Sequence, residues 1–323
     1  LSFSTKMNDF NEYLELTGEY GTVVEIKYPV VTLVGLPHAK LKELILFENG
    51  GLGRIFSIER EKMKVILFSR KNVSPGTKAA RTNEFIMIPA GDELFGSIID
   101  PLGNPMSASK PFKKPKDSID IEGELKSIAY RARIKKNLVT GTTLVDMLIP
   151  IGVGQRELII GDRKTGKTAF LYTIVKKQVQ DGAIVIVAAI GKKQTDIKHM
   201  YEVYEKDGLL KQMVIVASGS DSSPALTFLT PFSAMALAEY YRDRGRDVVL
   251  ILDDLSTHAK FYRELSLIAG GFPGKDAYPG DMFHLHARLL ERAGNFTIKD
   301  GEAAISCFPV VETVDGELAG HIA

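Results

Sequence analysis

The first third of the chain alternates short apolar runs with breaks. From Thr17 to about Ile88 the runs "GTVVEIKYPVVTLVGL", "ELILFE", "GRIFSIER", "KVILFS" and "EFIMIPAG" are rich in Val, Ile and Leu and punctuated by Gly, Pro and Asn. Runs of this length and composition predict strands separated by turns, and several in succession predict a small all-β module, a barrel. The stretch 99–124, "IDPLGNPMSASKPFKKPKDSIDIEGE", carries four prolines and a lysine cluster with little periodicity, and reads as a connector.

Beyond it the pattern changes. Continuous apolar runs such as "AIVIVAAI" (183–190) and "VVLIL" (248–252) alternate with helical stretches. Strands that are apolar throughout are buried on both faces, so the expected architecture is α/β, a mainly parallel sheet covered by crossover helices. The division predicted is a β-barrel domain over 1–88 and a nucleotide-binding domain over 89–323. There is no internal repeat or low-complexity tract.

Composition narrows the function. With 323 residues, 41 Lys plus Arg and 40 Asp plus Glu, the net charge of +1 gives no electrostatic case for nucleic acid or an anionic membrane surface. Cys307 is the single cysteine and has no internal partner, so a reducing cytoplasm is the expected setting. The apolar runs are far too short to cross a bilayer.

The candidate chemistry lies in "GDRKTGKT", Gly161–Thr168, which fits G-x-x-x-x-G-K-[ST]. In such a phosphate loop, backbone N–H groups wrap the phosphates, the lysine reaches the outer ones and the hydroxyl takes Mg²⁺. The binding residues are then Gly161, Asp162, Arg163, Lys164, Thr165, Gly166, Lys167, Thr168 and Ala169. "RELII" (156–160) before the loop reads as a strand, and 168–182 after it as a helix closed by Gly182. That order sets a helix N-terminus against the phosphates. A second apolar run, 247–256, ends in Asp253 and Asp254. Asp253, directly after the strand, is the candidate for the Mg²⁺ shell beside Thr168. The two carboxylates could instead start a helix as caps.

On the stretches 138–168, 230–256 and 275–294, and more weakly back through 91–106 into the β-rich module, the sequence resembles the alpha subunit of F-type ATP synthases. The resemblance implies a RecA-like phosphate-loop domain that binds ATP or ADP with Mg²⁺ and does not hydrolyse it. It implies partners too: catalytic beta-type subunits alternating with it in a hexamer, a central shaft subunit, and peripheral association, through other subunits, with a proton-translocating sector on the cytoplasmic side of a membrane or the matrix face of an organelle. In that family the catalytic subunit carries a glutamate just after the strand that follows the loop helix, where it orients the attacking water. Here that strand is 184–190, and the position falls on Lys192, where the alpha type usually has glutamine.

A protonated lysine cannot accept the water's proton, and its charge favours the bound triphosphate. No catalytic residue is therefore assigned. Asp196, some residues on and expected on a helix, is a poor substitute. Lys164 also stands where the alpha type commonly has glutamine, so Arg163, Lys164, Lys167 and Lys192 are expected to form a cationic phosphate pocket. Lys192 and Lys193 could alternatively be solvated charges.

Lesser features complete the reading. His284 and His286 are spaced to lie on different faces of a helix, so packing is expected rather than a shared metal. Cys307, in "AISCFPVV", is expected to be a small buried hydrophobe. The stretch 263–281 reads as a loop, placed near the shaft by the resemblance, and Arg288 and Arg292 as packing or interface residues. The family's next strand, with an arginine reaching a neighbouring catalytic site, and its C-terminal helical domain are expected to follow the point where this sequence stops. A specialised motor, for example one driving surface motility, fits the divergent lysines. A self-sufficient export-type ATPase would need the missing glutamate, and a hexameric RNA translocase would need aromatic platforms and a basic track in the barrel.

Overall fold

The computed structural model describes residues 9–69, 73–106, 112–313, 316 and 322. Part of the predicted connector, 107–111, and most of the chain's last ten residues lie outside these.

Helix α1 (Phe10–Thr17) opens the described chain, started by a capping box of Asp9 and Glu12 and ended by Gly18 in the left-handed region. Six strands follow: β1 (Tyr20–Lys27), β2 (Val30–Val34), β3 (Leu44–Phe47), β4 (Leu52–Ile58), β5 (Met63–Leu67) and β6 (Lys78–Arg81). They close into a barrel in the order β1-β2-β5-β4-β3-β6, all neighbours antiparallel. Strand alternation sorts their side chains. Val31, Leu33, Ile45, Phe47, Ile55, Val65 and Leu67 fill the barrel, while Val30, Leu44, Leu52 and Ile66 point outward into a second core. The run "EFIMIPAG" does form a strand, β7 (Met87–Ala90), but it leaves the barrel.

The predicted connector is partly ordered into sheet. β8 (Ile98–Ile99) joins the large sheet, and β9 (Asp117–Asp120) pairs antiparallel with β7. Then β10 (Asn137–Leu138) and β11 (Ile151–Gly152) form a short ribbon around α2 (Thr143–Leu148).

The remaining elements run β12 (Ile159–Gly161), α3 (Lys167–Gln180), β13 (Ile184–Lys192), α4 (Gln194–Lys206), β14 (Met213–Gly219), α5 (Pro224–Arg242), β15 (Val248–Asp253), α6 (Leu255–Ile268), α7 (Met282–Glu291), β16 (Gly294–Ile298) and β17 (Gly301–Glu312). The sheet order is β12-β17-β15-β13-β14-β8, parallel throughout, with β16 added antiparallel to β17.

Alternate residues of its middle strands feed two cores. On β13, Ile184, Ile186, Ala188 and Ile190 pack with α5 and α6, and Val185, Val187 and Ala189 pack with α3 and α4. Each such Ile or Val contributes about 1.5–3 kcal/mol of burial, which is why these runs are apolar at every position. Helix α5 is buried on nearly all sides because the barrel covers the face the sheet leaves. Phe228 on α5 and Tyr262 on α6 take Phe56 of β4 at 6.1 Å ring separations, and Ser223 Oγ donates to the Leu67 carbonyl at 2.7 Å.

The expected loop over 263–281 is shorter than predicted. Helix α6 runs on to Ile268 because Tyr262, Leu265 and Ser266 continue the buried face begun by Leu255 and Ala259. Among the described residues no helix is long and apolar enough to cross a membrane.

Candidate functional site

Strands β12, β17, β15 and β13 are parallel, so their carboxyl ends emerge together. In an open α/β sheet that edge is where ligands bind. The residues leaving it are 162–168 from β12, Glu312 and Thr313 from β17, Asp253 and Asp254 from β15, and Lys192 from β13. Sheet topology thus brings the loop 162–168, Lys192 and Asp253 to one edge.

The loop 162–166 turns through left-handed backbone at Lys164 (φ 64°) and Gly166 (φ 94°). Gly166 then caps α3, with open space where a Cβ would stand. Thr165 Oγ1 donates to the Asp162 carbonyl at 2.8 Å, and Lys167 Nζ donates to the carbonyls of Gly161 and Asp162, both at 2.6 Å. The Asp162 carboxylate accepts from Thr313 Oγ1 and, at 2.9 Å, from the Gly316 N–H. Those bonds, the hydroxyl's first, hold its pKa below the ordinary range. Thr168 and Ala169 are exposed in the first turn of α3.

The cationic pocket expected of Arg163, Lys164, Lys167 and Lys192 is half neutralised. Arg163 Nε pairs with Glu312 Oε2 at 3.1 Å. Lys192 Nζ lies 2.8 Å from Asp253 Oδ1 and 3.3 Å from Asp254 Oδ2. Its side chain is 26% exposed, so it is not a solvated surface charge, whereas Lys193 is exposed. Burial disfavours its charge, but the two carboxylates outweigh burial and hold its pKa above the usual lysine range. Burial pushes the Asp253 carboxyl up, with Lys192 pulling the other way.

Gly191 aims Lys192. Its φ of 62° sits where the register of β13 against β14 shifts, between Ala189 and Lys192, and a Cβ there would stand 2.8 Å from Thr257 Cγ2. Of the two roles weighed for the carboxylate pair, capping falls to one residue. Asp254 caps α6, its Oδ1 accepting from the Thr257 N–H at 2.6 Å, while Asp253 faces Lys192. The two halves of the site are joined through Ser256, whose Oγ accepts from the Glu312 N–H at 2.9 Å.

Glu312 and Thr313 were not among the predicted site residues. Their signal was the same one that picked out Asp253, polar groups directly after a buried apolar run. Asp196 lies exposed in the first turn of α4, as expected of a residue on a helix. His284 is exposed, while His286 turns inward, its Nε2 2.9 Å from His258 Nδ1. Cys307 is fully buried, and burial pushes its thiol up to about 12. Arg292 is buried and donates to Glu239 Oε2 at 2.5 Å, and Arg288 is exposed.

Nucleotide phosphates fit the loop. The first N–H groups of α3 have no intrahelical acceptor, and the Lys167 ammonium is held by two neutral carbonyls, which an anionic oxygen outcompetes. A divalent cation fits Thr168, an exposed hydroxyl, better than Asp253, whose Oδ1 is bonded to an ammonium.

Comparison with known proteins agrees with this geometry. Residues 141–323 match the nucleotide-binding domain of the ATP synthase alpha/beta family. The chain is 36% identical over 311 residues to ATP synthase subunit alpha of Ehrlichia ruminantium (strain Gardel), covering 94% of this chain and 61% of the relative. It is 39% identical over 306 residues to subunit alpha of Sulfurovum sp. (strain NBC37-1), covering 94% and 60%. To subunit alpha of Neorickettsia sennetsu (strain ATCC VR-367 / Miyayama) it is 37% identical over 327 residues, covering 98% and 64%. The chain spans about three fifths of the length of these relatives. With the loop 162–166 at the carboxyl edge of a parallel sheet and a family nucleotide-binding domain matching over half its length, the chain belongs to the ATP synthase alpha/beta family.

Proposed function

We propose that this chain holds ATP or ADP without hydrolysing it, as the non-catalytic member of a hexameric ring. It alternates there with catalytic beta-type subunits around a central shaft. The ring sits peripherally on the cytoplasmic side of a membrane, or the matrix face of an organelle, and couples ATP synthesis or hydrolysis to rotation and proton transport. The proposed nucleotide-binding residues are 161–169, and the 1–88 barrel and 89–323 nucleotide domain are the proposed working units.

One observation carries the non-catalytic reading. At the end of β13, where a carboxylate base would have to orient water, Lys192 presents an ammonium bonded to Asp253 and Asp254. An ammonium cannot take a proton. A nucleotide held without turnover stabilises the interface it fills by mass action. Mg²⁺ is proposed to accompany the phosphates at the Thr168 hydroxyl, and Asp253 could join its shell only on releasing Lys192.

The test compares bound nucleotide and ATP turnover in the intact protein, alone and with its catalytic partner, and in Lys192→Glu. Retained nucleotide without turnover, with activity appearing only alongside the partner, is expected. Turnover by the isolated protein would place the base elsewhere and overturn the reading.

A further inference from the structure

The carboxylates at the site's edge set an electrostatic problem for any polyphosphate. Asp253, Asp254 and Glu312 all emerge where the phosphates of a bound nucleotide would lie. Anionic oxygens brought toward them are repelled unless a cation intervenes. In phosphate-loop sites that cation is ordinarily divalent, with a carboxylate supporting its water shell.

Here the protein meets each of these carboxylates with a cation of its own. Arg163 takes Glu312 at 3.1 Å, and Lys192 bridges Asp253 and Asp254 at 2.8 and 3.3 Å. The Asp254 oxygens are further committed to the Thr257 N–H at 2.6 Å and hydroxyl at 3.2 Å. The bridge is built into the fold. Gly191 supplies the turn that aims Lys192, and the Lys192 carbonyl accepts from the Ser220 N–H at 2.8 Å, fixing the lysine's backbone.

We propose that the Lys192 ammonium is the resident cation of this site, so that retention of a nucleoside di- or triphosphate by the loop does not depend on a divalent metal. This rests on the reading of the loop as a nucleotide site. The ammonium screens the carboxylates before any ligand arrives, which is the service a metal and its water shell would otherwise provide. Mg²⁺ at Thr168 then adds little to affinity.

Equilibrium binding of a fluorescent ATP analogue to the nucleotide-stripped intact protein, in excess Mg²⁺ and in excess EDTA, tests this. Wild-type affinity is expected to change less than about threefold between the two buffers. Lys192→Gln is expected to weaken by about tenfold or more in EDTA, an ammonium having been removed from beside two carboxylates, and Lys192→Arg to behave as wild type. Mn²⁺ binding followed by electron paramagnetic resonance in the presence of the analogue should be tighter in Lys192→Gln than in wild type.

Wild-type binding that collapses in EDTA overturns the inference and leaves the nucleotide-holding reading intact. Equal insensitivity of wild type and Lys192→Gln also overturns it, because the ammonium is then not the cause. Absence of binding in both buffers, or binding that survives Lys167→Ala, overturns the nucleotide-site reading and the inference with it.

Discussion

His286 Nε2 donates to His258 Nδ1 at 2.9 Å, and His258 Nε2 donates to the Phe228 carbonyl at 3.0 Å. The carbonyl can only accept, so His258 carries a proton on Nε2, and in the neutral ring Nδ1 is left as the acceptor for His286. Burial drives their pKa values down, His258 to about 3 and His286 to about 4, from 6.5.

The sign of the pH effect follows. Below about 6.5 the unfolded chain takes up protons that the folded protein refuses, so stability is complete above that pH and is lost as pH falls through the window from 6.5 to about 3. The loss from His286 alone is about 3 kcal/mol. Urea midpoints measured across this window should fall steadily. A profile that stays flat between pH 6.5 and 4 would show that the pair is protonated or solvated in the native state.

The Arg292–Glu239 pair is buried at 2.5 Å, with side chains only 5% and 6% exposed, and Gly123 passes close above it. Among the described residues Arg292→Ala leaves Glu239 with only Arg242 Nη1, at 3.7 Å, and should destabilise the protein by about 3–5 kcal/mol. Replacing both partners, Arg292→Met with Glu239→Leu, removes the stranded charge and should recover much of that loss. Urea unfolding of Arg292→Ala, Arg292→Met, Glu239→Leu and the double variant checks this, and a double variant as unstable as the sum of its two singles would refute it.

Much of the nucleotide domain is legible because its strands are buried on both faces, which forces apolar residues at every position from Ile184 to Ile190. The barrel's sixth strand is not, because Lys78–Arg81 is a short alanine pair between two charges whose place is set by pairing with β1 and β3. The loop and Asp253 show as local signals. The bridge from Lys192 to Asp253 joins residues 61 apart, and only the adjacency of β13 and β15 brings them together. The same is true of Arg163 with Glu312, so local spacing overstated the positive charge of the pocket.

Lys167 separates binding from folding. Among the described residues its ammonium bonds two carbonyls of its own loop and no carboxylate, so Lys167→Ala should change stability by no more than about 0.5 kcal/mol. Nucleotide affinity should fall about tenfold or more, since a charge-assisted contact to phosphate is lost. Thermal unfolding with and without nucleotide reads both effects. Wild type should gain stability with nucleotide and the variant should not, and an equal gain in the two would remove Lys167 from the site.

Gly191 offers a test of how Lys192 is aimed. A Cβ at this position meets Thr257 Cγ2 at 2.8 Å, Phe261 Cε2 at 3.2 Å and Thr227 Cγ2 at 3.3 Å, in backbone with φ 62°. Gly191→Ala therefore combines a clash with left-handed strain of about 1–2 kcal/mol, and a total loss of about 2–4 kcal/mol is expected. Thr257→Ser deletes the offending methyl but keeps the hydroxyl that bonds Asp254 at 3.2 Å. Added to Gly191→Ala it should restore the steric part and leave the backbone part, so the double variant should unfold at an intermediate urea midpoint. If Thr257→Ser restores nothing, the contact does not limit this turn, and the glycine is required there for its backbone alone.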